Sequence, residues 1–383
     1  MNIRDFLTVK ERREALEKET SISLKNIASS YIDEETASLK NCENMIGTIQ
    51  VPVGVAGPLL VRSKLQEREV YIPLATTEGA LVASVSRGSK AITQSNGATV
   101  RSKRIGISRA PVFVVQNLEE AEETITWLDA QIPLIKKVAE KTSSHLSFHS
   151  LKHWLVGKNL FVRFVFDTQD AMGMNMVTIA VTEIAKEIEK NTPAKLIAVS
   201  GNMCVDKKSN ALNVIEGRGI QVWAEVVLPK NIILETLKTS PEKFIEVMQR
   251  KVYIGSILSG SIGANSHAAN VLSAIFLATG QDIAHVSEAA SVVTSAELLE
   301  NGIYVSVFLP DLPIGTVGGG TNLSTQKEAL QILGVSGGDK GKNAEKLAEI
   351  VGAAVLAGEI SLVASLSTNS LAGAHKKLGR GEK

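Results

Sequence analysis

The chain has 383 residues, with 41 Lys+Arg against 40 Asp+Glu and a formal net charge of +1. That length allows two or three domains with a substantial core. The charge balance excludes a generic polyanion binder but leaves room for local charge around an anionic small ligand. Hydrophobic residues at 44% and charged residues at 21% exclude wholesale disorder, and 4% aromatics predict a core of Ala, Val, Ile and Leu. Cys42 and Cys204 cannot form a disulfide framework and fit a reducing cytosol. The N-terminus is charged and lacks an apolar signal core.

Residues 1–40 are polar and helix-prone. They read as an arm or small module whose last helix runs through 34–39. Residues 43–61 are punctuated by Pro52, Gly54, Gly57 and Pro58, which predicts strands and tight turns. Helical spacing continues over 77–93, with Glu78 near its start. Then come a strand at 112–116 and a single helix over 118–140. His145, His149 and His153 are spaced as one face of a helix. A strand at 160–166, an amphipathic helix over 173–189 and a strand at 196–200 complete a compact α/β unit over about 111–199. With no sharp change of composition at either edge, that unit reads as an insertion. Downstream, small residues predict core helices at 254–280 and 344–374, with loops at 315–320 and 334–341. Positions 350–366 form the most membrane-like run. It is shorter than the ~20 residues of a span and Glu359 interrupts it, so a buried helix is expected.

The standard nucleotide motifs fail. Gly217-Arg-Gly219 has Val222 where a third glycine belongs, and the P-loop-like stretch ending at Lys342 has Ser336 and Asn343 at its two ends. Gly318-Gly319-Gly320 fits either close approach to a phosphate or an ordinary turn. The three histidines could ligate a metal or line a solvated face; no further ligand is evident and no metal is expected. Asp206-Lys207-Lys208 is a surface turn or a cationic site, and Cys204 a nucleophile or a buried thiol. Glu78, Asp282 and Glu359 lie in small or apolar stretches, where a carboxylate needs a partner and titrates abnormally. His375, near the end of the last helix, could simply cap it.

Seven stretches then occur in one order: ENMIG at 43–47, VGVAGP at 53–58, TTEG at 76–79, DAMGMN at 170–175, SGNMCVDKK at 200–208, GQD at 280–282 and GTVGGGTNL at 315–323. Together, over about residues 40–380, they resemble 3-hydroxy-3-methylglutaryl-coenzyme A (HMG-CoA) reductase. DAMGMNM and GTVGGGTNL look more like the class I branch, eukaryotic and archaeal, than like class II. The start of the chain, close to the catalytic part, resembles a soluble prokaryotic or archaeal-type member. The resemblance implies an α+β fold. A large mixed α/β substrate domain (41–110 and 200–383) surrounds a long central helix. A small ferredoxin-like, non-Rossmann cofactor domain (111–199) is inserted in it, and an N-terminal helical arm (1–40) precedes both. It also implies a cytoplasmic homodimer or dimer-based oligomer, with the active site at the subunit interface near ENMIG and no nucleic-acid or membrane partner.

The implied reaction reduces (S)-HMG-CoA to (R)-mevalonate with two hydrides and releases CoA, in isoprenoid biosynthesis. Lys207 matches the catalytic lysine, a fixed cation for the oxyanion made by the first hydride. His375 matches the histidine that protonates the departing thiolate. Glu78 matches the glutamate of the mevaldehyde step, and burial is expected to raise its pKa. Asp282 matches the aspartate that bonds both lysine and glutamate. Arg109, Ser200, Asp206, Lys208 and Lys251 match positions at the HMG carboxylate or hydroxyl, Asn270 one near the reacting centre, and Ser84 and Arg87 the CoA side. Asp170, Met172, Gly173, Met174 and Asn175 match the cofactor stretch, and Val317, Gly318 and Gly319 the loop opposite. Ser144 stands where class I relatives place an Arg for the 2′-phosphate of NADPH. Ser143, Ser144 and His145 would select that phosphate more weakly, so NADPH is expected with NADH open. Three other readings remain: the same fold acting oxidatively with NAD on mevalonate, a non-redox CoA enzyme using Cys204, and an inactive homologue that only binds CoA or a partner.

Overall fold

The computed structural model describes residues 5–368, and one helix sets its architecture. Lys342–Ser367 runs 26 residues, about 39 Å at 1.5 Å per residue. Between positions 347 and 365 every residue but Leu362 is buried. Small residues on it and on its neighbours allow close approach. A Cβ on Gly352 would lie 2.5 Å from Val222, and one on Gly88 would lie 1.9 Å from the Ala357 carbonyl oxygen. Among the described residues this is the one helix long and apolar enough to cross a membrane, and protein surrounds it.

Eleven strands form one hydrogen-bonded network. They are β1 Val53–Arg62, β2 Glu67–Ala75, β3 Ala98–Arg109, β4 Val112–Val114, β5 Ser147–Val156, β6 Asn159–Asp167, β7 Lys195–Ala198, β8 Arg218–Pro229, β9 Val293–Leu299, β10 Gly302–Leu309 and β11 Asp311–Leu312. The larger part runs β2-β1-β3-β8-β10-β9, with only β1–β3 and β8–β11 parallel. β8 alternates with period two: Val222, Ala224, Val226 and Leu228 face the central helix side, while Trp223 and Val227 face out. The smaller part runs β7-β4-β6-β5, all antiparallel. β3 belongs to both. Its register with β8 shifts between Arg104 and Gly106, after which residues 107–109 pair with β6. Gly106 makes that bulge possible: its φ is +102°, and a Cβ there would lie 2.5 Å from the Phe166 carbonyl oxygen.

Six helices position the arm, the cofactor unit and the site: α1 Val9–Thr20, α2 Glu34–Lys40, α3 Leu81–Gln94, α4 Leu118–Ala130, α5 Ile132–Glu140 and α6 Met174–Asn191. Helices α4, α5 and α6 share a core with β4–β7 (Phe113, Leu160, Phe164, Val177, Ile184), separate from the core around the central helix. The N-terminal arm holds the ENMIG segment, since Arg12 and Arg13 donate to the Met45 and Ile46 carbonyls at 3.3 and 3.0 Å.

Four expectations change. The helix over 118–140 is two, meeting at Gln131, because Pro133 lacks an N–H and fits only a first turn. His149 and His153 lie on strand β5 and His145 in the turn before it, so the expected helical histidine face does not form. The helix expected over 254–280 is interrupted by a loop where Gly260 and Gly263 take positive φ, and resumes at Ala268–Thr279. The last helix is described only to Ser367, so residues 369–374 of its expected span lie outside the described residues.

Candidate active site

Candidate side chains gather at two places. The first is the loop 199–210, between β7 and the short helix Ala211–Glu216. Asn202, Val205 and Lys207 have φ of 67°, 50° and 59°, which winds the loop tightly and leaves Lys207 exposed. Lys207 Nζ lies 2.6 Å from Asp282 Oδ2. Asp282 comes just after the helix Ala268–Thr279, which Gly280 closes in the left-handed region, and its Oδ1 accepts the Ala284 N–H at 3.1 Å. Partial burial opposes the charge on Asp282, yet the Lys207 hydrogen bond and nearby His285 hold its carboxyl below the ordinary range.

Asp206 turns inward. Its Oδ1 lies 2.9 Å from both Arg218 Nη2 and His285 Nε2. Burial opposes its ionisation, but these two partners hold its carboxyl far below the usual range. Arg218, fully buried at the start of β8, also reaches Glu288 Oε1 at 2.9 Å. Cys204 is buried, with Sγ 3.4 Å from Ser200 Oγ. Burial works against the thiolate, but hydrogen bonds from Ser200 and the Asp206 and Ala110 backbone bring the thiol below its ordinary value. Arg109 donates from Nε and Nη2 to Thr178 Oγ1 on α6, at 3.1 and 2.7 Å. Lys208 Nζ folds back onto the Asp206 carbonyl at 3.1 Å.

The second place is the other end of the helix Ala268–Thr279. Asn270, in its first turn, donates to Glu78 Oε1 at 3.3 Å. From the turn holding Glu78, α3 lays Ser84 and Arg87 on the central helix. Ser84 Oγ is 3.0 Å from Ser361 Oγ; Arg87 donates to Ser361 Oγ at 3.1 Å, to the Ser361 carbonyl at 2.6 Å, and to Ser365. Lys251 Nζ donates to the Ser266 carbonyl at 3.3 Å. Burial lowers its pKa, with Glu359 working the other way. The Glu359 carboxylate is fully engaged in structure, accepting the Ser266 and His267 N–H groups at 2.7 and 2.8 Å and the Thr294 hydroxyl at 2.8 Å.

Among the described residues the two places do not meet. The nine helical rises from Asn270 to Thr279 separate them, about 14 Å. The expected bond from Asp282 to Glu78 is therefore absent among the described contacts. Glu78 is exposed, not buried, because it lies in a turn that no element among the described residues covers. His375 lies outside the described residues.

The two expected cofactor stretches do come together. The Asp170 carbonyl accepts the Thr316 and Val317 N–H groups at 2.8 and 3.3 Å, and Ala171 bridges to Val317. The Asp170 carboxylate is buried and accepts N–H from Asp339, Gly341 and Ala344 at 2.6, 2.7 and 2.9 Å, tying the stretch to the start of the central helix. Gly173 opens α6, Met174 points inward with Sδ 2.9 Å from Arg218 Nη2, and Asn175 is exposed beside half-buried Met172. Gly318 and Gly319 border open space: a Cβ on either would meet nothing within 4 Å. Ser144 is exposed; His145 bonds Ser143 Oγ through its N–H (3.2 Å) and lies 3.3 Å from Gln169 Oε1.

Over residues 8–380 the chain matches the family model described as hydroxymethylglutaryl-coenzyme A reductase. The chain belongs to this family. It is 48% identical to the 3-hydroxy-3-methylglutaryl-coenzyme A reductase of Pyrococcus horikoshii, over 98% of this chain and 92% of that one. It is 50% identical to the reductase of the same name from Methanocaldococcus jannaschii, over 96% and 92%. Its fold matches the class II HMG-CoA reductase from Streptococcus pneumoniae bound to NADPH, with TM-score 0.71 and 18% identity over 95% of this chain and 98% of that one.

For a chain of the HMG-CoA reductase family, the residues that sequence reasoning missed are Arg218, His285, Glu288 and Asp311, stacked beneath the Lys207 loop. In the sequence Arg218 reads only as the middle of a glycine motif. A charged residue opening an apolar strand is its signal, as is Glu288 one turn after His285.

Proposed function

We propose that the protein reduces HMG-CoA to mevalonate with two hydrides and releases CoA. The Lys207–Asp282 pair carries the reading: an exposed ammonium on a tightly wound loop, oriented by a carboxylate 2.6 Å away. A cation so fixed stabilises negative charge on a thioester oxygen as a hydride adds to its carbon, and needs no reorganisation to do so. The same group serves the mevaldehyde oxygen in the second reduction. Asp282 keeps Lys207 charged, Glu78 with Asn270 supplies a proton to the nascent alcohol, and His375 protonates the CoA thiolate. Arg109, Ser200, Asp206, Lys208 and Lys251 orient the HMG portion; Ser84 and Arg87 face CoA.

The nicotinamide supplies the hydrides. The residues present fit it: open space beside Gly318 and Gly319 adjoins Met172–Asn175, and the Asp170 carbonyl holds the two stretches together. Residues 111–199 form the ferredoxin-like cofactor domain, inserted between 41–110 and 200–383, with 1–40 as an arm. The strand order β7-β4-β6-β5 and the separate core support that division. NADPH is the cofactor we assign, the compound bound to the streptococcal class II enzyme. The class I assignment rests on 48–50% identity to archaeal reductases against 18% to that enzyme. We also propose a cytoplasmic homodimer. The ~14 Å of helix between Lys207–Asp282 and Glu78–Asn270 supports a site completed by a second copy, whose Glu78 would approach Lys207.

The test is oxidation of reduced cofactor dependent on HMG-CoA, by the wild type and by Lys207→Ala and His375→Gln. Both variants are expected to lose activity by about a hundredfold or more; full activity in Lys207→Ala would remove the mechanism.

A further inference from the structure

The cluster beneath Lys207 packs three carboxyl groups against two guanidinium groups and one imidazole. Arg163 and Arg218 supply two guanidinium groups and His285 an imidazole; Asp206 from the loop 199–210, Glu288 from the turn after Asp282 and Asp311 from β11 supply three carboxyls. Asp206 is the ionised partner of Arg218 and His285. The remaining two carboxyls lie side by side, because Asn213 Nδ2 is 2.6 Å from Asp311 Oδ2 and 3.4 Å from Glu288 Oε2. Asp311 Oδ1 is buried and receives no N–H donor among the described residues. Glu288 Oε1 accepts the Lys207 backbone N–H at 3.1 Å and Arg218 Nη1 at 2.9 Å, which leaves Oε2 to carry a proton.

We infer that Glu288 and Asp311 share one proton, and that Glu288 in its neutral form is a positioning residue that fixes the backbone of Lys207 for oxyanion stabilisation. The inference rests on Lys207 being the oxyanion-stabilising cation of the proposed reaction. A proton on Glu288 donated to Asp311 Oδ1 satisfies that unpaired oxygen and keeps two adjacent buried carboxyls from both carrying charge. Burial pushes both carboxyls up, Glu288 to about 8. The charged and titratable groups facing it are Arg218, Asp206, Lys207, His285 and Asp311, with Arg163 behind them. Asp206, His285 and Glu288 are also close enough to surround a cation. The Arg218 guanidinium already bridges Asp206 and Glu288, so we assign no metal there.

Glu288→Gln mimics the neutral acid: its amide can donate to Asp311 while its oxygen still accepts from Lys207 and Arg218. With the full-length protein, Glu288→Gln is expected to keep kcat within about threefold, and Glu288→Ala to lower it about thirtyfold at nearly unchanged KM for the cofactor. In pH profiles the wild type should lose kcat as Glu288 ionises near pH 8, and Glu288→Gln should not. A Gln variant as impaired as Ala, an Ala variant with wild-type kcat, or identical alkaline limbs in wild type and Gln would each overturn the inference. If Glu288→Ala does not fold, the Gln profile alone decides. Lys207→Ala run in parallel separates the two readings: activity retained there refutes the role of Lys207 itself.

Discussion

Gly88 on α3 faces the Ala357 carbonyl of the central helix, and replacing it by Ala tests how stability and substrate binding are linked through that contact. A Cβ at position 88 would sit 1.9 Å from the Ala357 oxygen and 2.6 Å from its carbon, both backbone atoms that no rotamer change can move. Ordinary contact begins at 3.4 Å, so the two helices must part by about 1.5 Å, the difference of the two distances. Overpacking of this kind costs about 3 kcal/mol when the backbone itself has to shift. The displacement also stretches the Ser84–Ser361 bond from 3.0 Å to about 4.5 Å, beyond hydrogen bonding, and loosens Arg87. Gly88→Ala should therefore show a lower urea midpoint together with a KM for HMG-CoA raised several-fold, while the KM for the cofactor stays near wild type. An unchanged midpoint and an unchanged KM would show that α3 does not rest on the central helix as described.

Three other contacts give further expected outcomes. Glu288 titrates near pH 8 in the folded chain, against about 4.3 when unfolded. Its contribution to stability is complete below pH ~4.3 and declines with a steady slope as pH rises toward 8. Urea midpoints of wild type minus Glu288→Gln should show that slope, and parallel curves would refute it. Asp170→Ala leaves the N–H groups of Asp339, Gly341 and Ala344 without their acceptor. It should lower stability by about 3 kcal/mol or more, read as a urea midpoint, and should weaken cofactor binding through the loop it holds. Ser144→Arg places a guanidinium in the exposed turn before β5 and should raise the NADPH-to-NADH ratio of kcat/KM about tenfold; an unchanged ratio would place phosphate selection elsewhere.

Much of the architecture could be read in the residues. Helices α2, α3 and α6, strands β4, β6 and β7, and the buried run on the central helix all appear where spacing and burial demanded them. The histidines at 149 and 153 look helical in the sequence for a physical reason. A spacing of four residues keeps side chains on one face of a strand as well as of a helix, and only the pairing of β5 with β6 decides between them. The break near Pro133 and the loop at 260–267 are signalled by Pro and Gly residues that the helical pattern outweighs. The site was legible as motifs, because Lys207, Asp282 and the cofactor stretches lie in short contiguous runs. Its foundation was not. Arg218, His285, Glu288 and Asp311 come from β8, the turn after Asp282 and β11, and nothing local marks groups that matter only through their contact with one another. The exposure of Glu78 was equally invisible, since it depends on what covers that turn.

The central claim is that Lys207, oriented by Asp282, drives two successive reductions of one substrate. Its most direct test is the stoichiometry of reduced nicotinamide consumed per HMG-CoA, measured to completion with the wild type and with Lys207→Ala. Two NADPH should be oxidised for each HMG-CoA and one CoA released, with almost no turnover in the variant. No HMG-CoA-dependent oxidation of NADPH or NADH by the wild type, or undiminished oxidation by Lys207→Ala, would contradict it.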